Sequence, residues 1–372
     1  MTYRIPVSKP SITDLEKKYL KECIDSGWIS SQGLFVERFE EAFAKFTGCK
    51  YAVACSSGTN AIQLALEALH LSEGDEVIVP EFTMIATAWA TTDAGAKPVF
   101  VDCGDDLNID VSKIEEEITK RTKAILPVHI YGRQCNMDAI MELAYEYGLR
   151  VIEDSCEAHG VPLRGDIACF SLFANKIISS GEGGVCVTND HYLAEQMRHL
   201  RGMAFNYAHT FYHKKKAHNF RITSLQAAVA LAQVERVEDT LAKRREIEKW
   251  YDEGLKDIPE IIKMPKRNVL WMYDCLAQDR DELVCYLESQ GIETRVFFRP
   301  MSGQPMYFNP AYTELEAYRF FNIGLYLPTF TDMELSQVEE VCNKIKQFYG
   351  QKKSVSYTGE NPRRYDQSVH AR

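Results

Sequence analysis

ACFSLFANKIISSGEGG, residues Ala168–Gly184, follows Ile167 with an apolar run through Phe173 that reads as a buried strand. Asn175-Lys176 comes directly after, then the glycine cluster Gly181-Glu182-Gly183-Gly184, and Val185-Cys186-Val187 resumes strand character. A single lysine at the mouth of a buried hairpin is desolvated. Desolvation disfavours the ammonium form, so the amine becomes nucleophilic, which is what a Schiff-base lysine needs. Taken alone, Lys176 reads better as a surface lysine beside a glycine turn, and the rest of the chain must supply the other parts of a site.

Working back from this stretch, short apolar strands recur at βα spacing: Tyr51–Cys55, Val77–Val79, Val99–Val101, Ala124–Leu126 and Arg150–Ile152. Helical patterns separate some of them, Met137–Tyr147 among them. Continuous apolar strands alternating with helices predict an α/β fold with a mainly parallel sheet covered on both faces. Ligands of such sheets gather beyond the carboxyl ends of the strands. Ser56-Ser57-Gly58-Thr59-Asn60 follows the first strand and opens a helix, so its free amides and the helix dipole suit a phosphate. Glu153-Asp154-Ser155-Cys156-Glu157 ends a later strand. Those carboxylates suit a metal site, an acid/base pair or a solvated loop, and their place in the sheet favours function.

Outside this region, Ile12–Ser26 and Phe35–Phe46 read as amphipathic helices flanking a polar loop, Gly27–Gly33, that carries Trp28. Such a loop suits a ligand contact, and a packed Trp28 is an equal alternative. Asp190–Leu200 is another helix. Gly202–Phe220 is a long irregular segment with a solvated basic run, Lys214–Lys216, of a length that usually signals function or disorder. Ser224–Leu255 reads as one long helix whose charged second half leaves the core and links to another unit. In that unit Trp271–Tyr273 and Ile292–Phe298 are expected strands, and Arg280–Gln290 and Asp332–Phe348 expected helices. The expected division is a large domain over 1–245, a small C-terminal α/β domain over 246–350, and a polar tail over 351–372, disordered or an expression remnant.

The chain has 372 residues with 43 basic and 53 acidic side chains, a formal net charge of −10, which argues against a general nucleic-acid or anionic-membrane binder. No apolar run is long enough to span a bilayer, and the N-terminus lacks the apolar core of a signal peptide. Eleven cysteines are scattered without a Cys-x-x-Cys pair, so reduced, cytoplasmic thiols are expected and no metal site.

A phosphate turn, an acid at Asp154, a nucleophilic lysine and a long loop ending at Asn219 fit one cofactor. Pyridoxal 5′-phosphate (PLP) needs helix amides and hydroxyls for its phosphate, a carboxylate for its ring nitrogen and a lysine for its aldehyde. The segments Gly27–Ser31, Ser57–Ala61, Pro127–Gly132, Glu153-Asp154, Asn175-Lys176, Gly181–Gly184, Asn219–Arg221 and Gly291–Arg295 together resemble the DegT/DnrJ/StrS nucleotide-sugar aminotransferases. These belong to the fold-type-I aspartate aminotransferase superfamily, and the resemblance runs from about Ile5 to Phe348. It is strongest to members that aminate C4 of a 4-keto-6-deoxyhexose, the perosamine- and viosamine-forming type.

The resemblance implies a large domain with a seven-stranded-type sheet and a smaller C-terminal α/β domain. It implies that Lys176 binds the cofactor aldehyde and shuttles a proton, that Asp154 pairs with the pyridinium nitrogen, and that Glu157 lies near the 3-hydroxyl. Ser57, Gly58, Thr59 and Ser171 would hold the phosphate, Met84 would cover the ring, and Asn219 would reach the cofactor of the neighbouring subunit in a homodimer. Trp28, Ser30, His129 and Arg221 are candidate sugar or diphosphate contacts. The amino group would pass from L-glutamate, through pyridoxamine 5′-phosphate, to an NDP-4-keto-6-deoxyhexose linked to UDP, dTDP or GDP.

Two departures stand out. Met84 occupies a place where relatives carry Trp, Tyr or Phe, and the chain between Gly160 and Phe170 is shorter than is usual in the family. Amination at C3 is the nearest alternative. A sugar dehydratase would carry histidine in place of Lys176, and a non-catalytic regulator would be expected to have lost Lys176 or Asp154.

Overall fold

The computed structural model describes residues 3–205, 211–213, 215–310 and 314–356. Seven strands form one sheet: β1 Tyr51–Cys55, β2 Glu76–Pro80, β3 Lys97–Val101, β4 Thr122–Ile125, β5 Arg150–Asp154, β6 Ile167–Ser171 and β7 Gly184–Thr188. Their order is β1-β7-β6-β5-β4-β2-β3. The pairs from β3 through β6 are parallel, and β7 runs against both β6 and β1. Six strands therefore point the same way and end along one edge. Every residue of β2, β6 and β7 is buried, which is why these strands read as unbroken apolar runs. Ala168–Gly184 spans the turn of the antiparallel β6–β7 hairpin.

Helix α3 (Gly58–Ala68) lies across β5, β6 and β7. Helices α1 (Asp14–Ser26) and α2 (Leu34–Thr47) pack against α7 (Ser224–Glu235). Thr13 and Glu16 close α1 with a capping box, and Gly27, in the left-handed region at φ 73°, ends it. Between these lie α4 (Ile85–Asp93), α5 (Met137–Tyr147) and α6 (His191–Arg201).

The expected single helix over Ser224–Leu255 is two. Arg236 leaves helical geometry (φ −114°, ψ 15°), and α8 (Val237–Leu255) starts after it. No glycine or proline announces this break. Its partners lie far off in sequence, since the Arg236 guanidinium donates to Glu16 Oε1 at 2.8 Å and to the Ser11 carbonyl. Helix α8 contributes Leu241 to the core under the large sheet, and Ile247, Tyr251 and Leu255 to a second core. That second core backs an antiparallel sheet of β8 (Ile261–Lys263), β9 (Tyr273–Ala277), β10 (Arg295–Val296) and β11 (Gly324–Leu327), ordered β10-β11-β9-β8.

Helices α9 (Arg280–Ser289), α10 (Glu316–Ile323) and α11 (Leu335–Ser356) complete this half. The strand expected over Ile292–Phe298 shrinks to β10, and the one expected at Trp271 begins at Tyr273. Trp271 and Met272 instead lead into β9 from the side of the large sheet. Helix α11 runs through Ser356, six residues into the stretch expected to be an aperiodic tail; the remainder of that tail lies outside the described residues. Among the described residues no helix is long and apolar enough to cross a membrane.

Candidate active site

Because six strands end along one edge, the residues that follow them converge. They enclose a cavity of about 440 Å³ lined by Ser57, Gly58, Thr59, Thr83, Met84, Asp154, Cys156, Glu157, Ser171, Asn175 and Lys176, with Trp271, Phe298 and Tyr326 from the second half.

One wall is the start of α3. Ser57 is its extended N-cap; its hydroxyl donates to Asn60 Oδ1 at 2.8 Å, and its Oγ accepts from Asn60 N at 3.2 Å. The amides of Gly58 and Thr59 belong to the first turn and have no acceptor within the helix. Glycine is required here by space: a Cβ on Gly58 would stand 2.7 Å from Ser171 Cβ, so only glycine lets α3 start against the end of β6. Gly184, from the cluster after Lys176, likewise approaches the Ser57 carbonyl, 2.2 Å from where its Cβ would be. The lysine hairpin and the phosphate turn are therefore one packed unit.

Asp154 ends β5 and is buried. Its Oδ2 accepts from Thr87 Oγ1 at 2.9 Å, and Oδ1 accepts from the Cys156 amide at 3.1 Å. Thr87, on α4, is fully buried, and its Oγ1 lies 3.3 Å from Thr83 Oγ1. These donors hold the carboxylate in one orientation.

Lys176 reaches the cavity with its side chain 12% exposed. Nζ lies 3.8 Å from Glu157 Oε1 and 4.0 Å from the centre of the Trp271 ring. Glu157 Oε2 accepts from the Tyr131 amide at 2.9 Å. Tyr131 presents that amide from a left-handed conformation (φ 51°), and Gly132 follows at φ 84°. Burial pushes the Glu157 carboxyl up to about 7, against the pull of the Lys176 ammonium and the Tyr131 amide.

The sequence-predicted residues divide here. Lys176, Asp154, Glu157, Ser57, Gly58, Thr59, Ser171 and Met84 all line the one cavity, Met84 about half exposed on its wall. His129 does not. It is fully buried, its Nδ1 accepts from the Cys135 amide at 3.2 Å, and its Nε2 lies 2.8 Å from Glu153 Oε2. Both ring nitrogens are therefore engaged within the protein, by the Cys135 amide and the Glu153 carboxylate. The expectation that His129 touches substrate is corrected: it is a packed structural histidine.

Asn219, Arg221, Trp28 and Ser30 also stand apart from this cavity. Asn219 Oδ1 accepts from Arg221 Nε at 2.8 Å, Arg221 lines a separate hollow with Ser31 and Gln32, and Trp28 is 61% exposed. The Ser30 carbonyl accepts from the Ser224 hydroxyl at 2.7 Å. In the segment after Gly160, the amides of Arg164 and Gly165 donate to Glu153 Oε1. Sequence reading missed Thr87, Tyr131, Trp271, Phe298 and Tyr326, whose roles depend on packing between distant segments.

Helix amides and hydroxyls suit a phosphate, a buried and oriented carboxylate suits a protonated ring nitrogen, and a cavity lysine suits an aldehyde. This donor set fits PLP. The architecture is that of the fold-type-I PLP transferases.

Comparison with known proteins narrows this. Residues 10–346 match the DegT/DnrJ/EryC1/StrS aminotransferase family. A GDP-perosamine synthase from Caulobacter vibrioides is 42% identical, with 92% of this chain and 98% of that protein covered. A UDP-N-acetyl-3-dehydro-alpha-D-glucosamine 3-aminotransferase from Acidithiobacillus ferrooxidans is 36% identical, with 82% and 86% covered. The crystal structure of S. venezuelae DesV, in complex with a ketimine intermediate, superposes with a TM-score of 0.86 at 32% identity, covering 93% of this chain and 99% of that one. The chain belongs to the DegT/DnrJ/EryC1/StrS aminotransferase family and is a sugar aminotransferase; membership implies PLP as cofactor.

Proposed function

We propose that this chain transfers the amino group of L-glutamate to C4 of a GDP-linked 4-keto-6-deoxyhexose, giving a perosamine-type sugar nucleotide and 2-oxoglutarate. The observation that carries the chemistry is the placing of Lys176, Asp154 and the start of α3 around one cavity. The likeness to a GDP-perosamine synthase supports the acceptor.

PLP, when bound, supplies an electron sink and carries the amino group between the two substrates. The chain's own residues do the rest. The Gly58 and Thr59 amides with the Ser171 hydroxyl would bind the phosphate, while the Ser57 hydroxyl, engaged with Asn60, holds the turn that presents those amides. Asp154, oriented by Thr87 and the Cys156 amide, holds the proton on the ring nitrogen. Glu157, held by the Tyr131 amide, meets the 3-hydroxyl. The Lys176 amine would bind the aldehyde and, once released, would take and return the proton that moves between donor and cofactor. Trp271, Phe298 and Tyr326 exclude water from the side of the second half.

We read the assembly as a homodimer. Met84 and Phe173 line the cavity yet are 51% and 44% exposed, which suits cover by a second copy. Asn219 and Arg221, absent from this chain's own cavity, would then serve the neighbour's cofactor and substrate, with Trp28 and Ser30 beside them. The large domain is assigned to 1–245 and the small one to 246–350.

The test supplies PLP, L-glutamate and GDP-, dTDP- and UDP-linked 4-keto-6-deoxyhexoses to the purified protein. Formation of 2-oxoglutarate with a 4-amino sugar nucleotide, strongest for GDP and abolished by Lys176→Ala, is expected. An amine at C3 on NMR of the product, or turnover by Lys176→Ala, would overturn the reading.

A further inference from the structure

We propose that Trp271 is a positioning residue for Lys176, holding the free ammonium on its indole face whenever the lysine is not joined to the cofactor. The inference rests on the assignment of Lys176 as the lysine that binds PLP. Nζ lies 4.0 Å from the ring centre, well inside the range of a cation–π contact, and the pair is largely screened from water.

The indole is fixed on several sides. Its Nε1 donates at 2.9 Å to the carbonyl of Asn175, the residue before the lysine, so ring and amine share one loop. Tyr131 packs against the ring at 5.8 Å between centroids and Tyr326 at 6.1 Å. The backbone is held as well: Arg244 Nη1 donates to the Trp271 carbonyl at 2.8 Å and to the Leu270 carbonyl at 3.3 Å.

Arg244 is 2% exposed, and among the described residues its hydrogen bonds go to carbonyls rather than to an acid. A buried guanidinium without a carboxylate is costly. Its placement on the Trp271 segment accounts for it as an anchor of that segment. Trp271 stands before β9, ninety-five positions from the lysine in sequence, so the second half of the chain sets where the amine rests in the first. Lys176 is thereby held between two partners of different kind, the Glu157 carboxylate at 3.8 Å and the indole. When the amine is released from the cofactor it returns to one position rather than sampling the cavity.

The test uses graded fluorination of tryptophan, which weakens the negative ring face while leaving its shape. Protein carrying mono- to tetrafluorotryptophan is prepared without cofactor, and acetic anhydride labelling of Lys176 is followed by mass spectrometry. Labelling should rise with each fluorine, by about tenfold across the series, because the held ammonium is released. The same fluorination in a Trp271→Phe background should have no effect, which excludes the other tryptophans. With cofactor loaded, Trp271→Leu should lower kcat about tenfold with KM for the nucleotide sugar little changed, and Trp271→Phe should recover most of it. Labelling that is flat across the fluorine series overturns the proposal, as does a Trp271→Leu effect confined to KM. Should Lys176→Ala still turn over, the assignment of the lysine itself fails, and that outcome is separate from either of these.

Discussion

Replacing Thr87 by valine tests whether Asp154 is held by a hydroxyl or merely surrounded. The Thr87 hydroxyl donates to Asp154 Oδ2 at 2.9 Å, and both residues are buried. Valine has nearly the same volume, so no hole opens, and what is lost is a donor to a carboxylate. Such a bond contributes about 1.5–3 kcal/mol, and a buried acceptor left unpaired forfeits about as much. The Cys156 amide at 3.1 Å continues to serve Oδ1, and the longer Thr83 contact at 3.3 Å goes with the hydroxyl, so the loss is one bond to a carboxylate and one weaker neutral one.

The expected fall in unfolding free energy, read from urea denaturation of the cofactor-free protein, is about 2 kcal/mol. Thr87→Ser, which keeps the hydroxyl, should lose less than about half of that. The decisive measurement is a double-mutant cycle: against Asp154→Asn, Thr87→Val should cost about 1 kcal/mol less, because the charge it served is gone. An equal cost in both backgrounds would refute the reasoning, since the hydroxyl would then be acting through Thr83 and not through Asp154.

Three further outcomes are expected. Burial raises the Glu81 carboxyl from 4.5 to about 7, although Ser302 donates to it from both amide and hydroxyl. An acid raised in the folded state stabilises it fully below the unfolded value and loses that contribution as pH rises to about 7, so Glu81→Gln should flatten the fall in thermal stability between about pH 4.5 and 7. Gly184→Ala should lower the melting temperature and weaken PLP binding in a fluorescence titration, because its Cβ would meet the Ser57 carbonyl at 2.2 Å; unchanged binding would show that the turn can shift freely. Asp274→Asn should cost about 3–5 kcal/mol in chemical denaturation, since Asp274 is buried between Arg133 at 2.9 Å and Arg267 at 2.6 Å.

What the sequence made legible was local. The helix ending at Ser26, the strand at Tyr51–Cys55 and the helix at Met137–Tyr147 each announce themselves within a few residues, and the structure places them at those positions. Lys176, Asp154 and Ser57–Thr59 could be picked out because each follows a strand, and in a sheet whose strands mostly run one way such residues must meet. Arg236 could not be picked out as a helix break, because its geometry is tied to Glu16 and Ser11, more than two hundred positions away. His129 misled for the complementary reason. A histidine after a strand looks available until Glu153 and the Cys135 amide are seen to take both ring nitrogens.

The same distinction changes how the lysine itself is understood. From sequence, its special setting was a buried hairpin and its reactivity a matter of desolvation. In the folded chain the amine has a carboxylate at 3.8 Å and an aromatic face at 4.0 Å, and neither partner is near it in sequence. Glu157 in turn depends on a left-handed Tyr131 to present its amide, and Trp271 depends on a buried Arg244 to fix its carbonyl. The lysine is thus less a group stripped of water than one given two fixed resting contacts. The left-handed backbone at Tyr131 and the burial of the Arg244 guanidinium are costs the fold carries in order to keep those contacts in place.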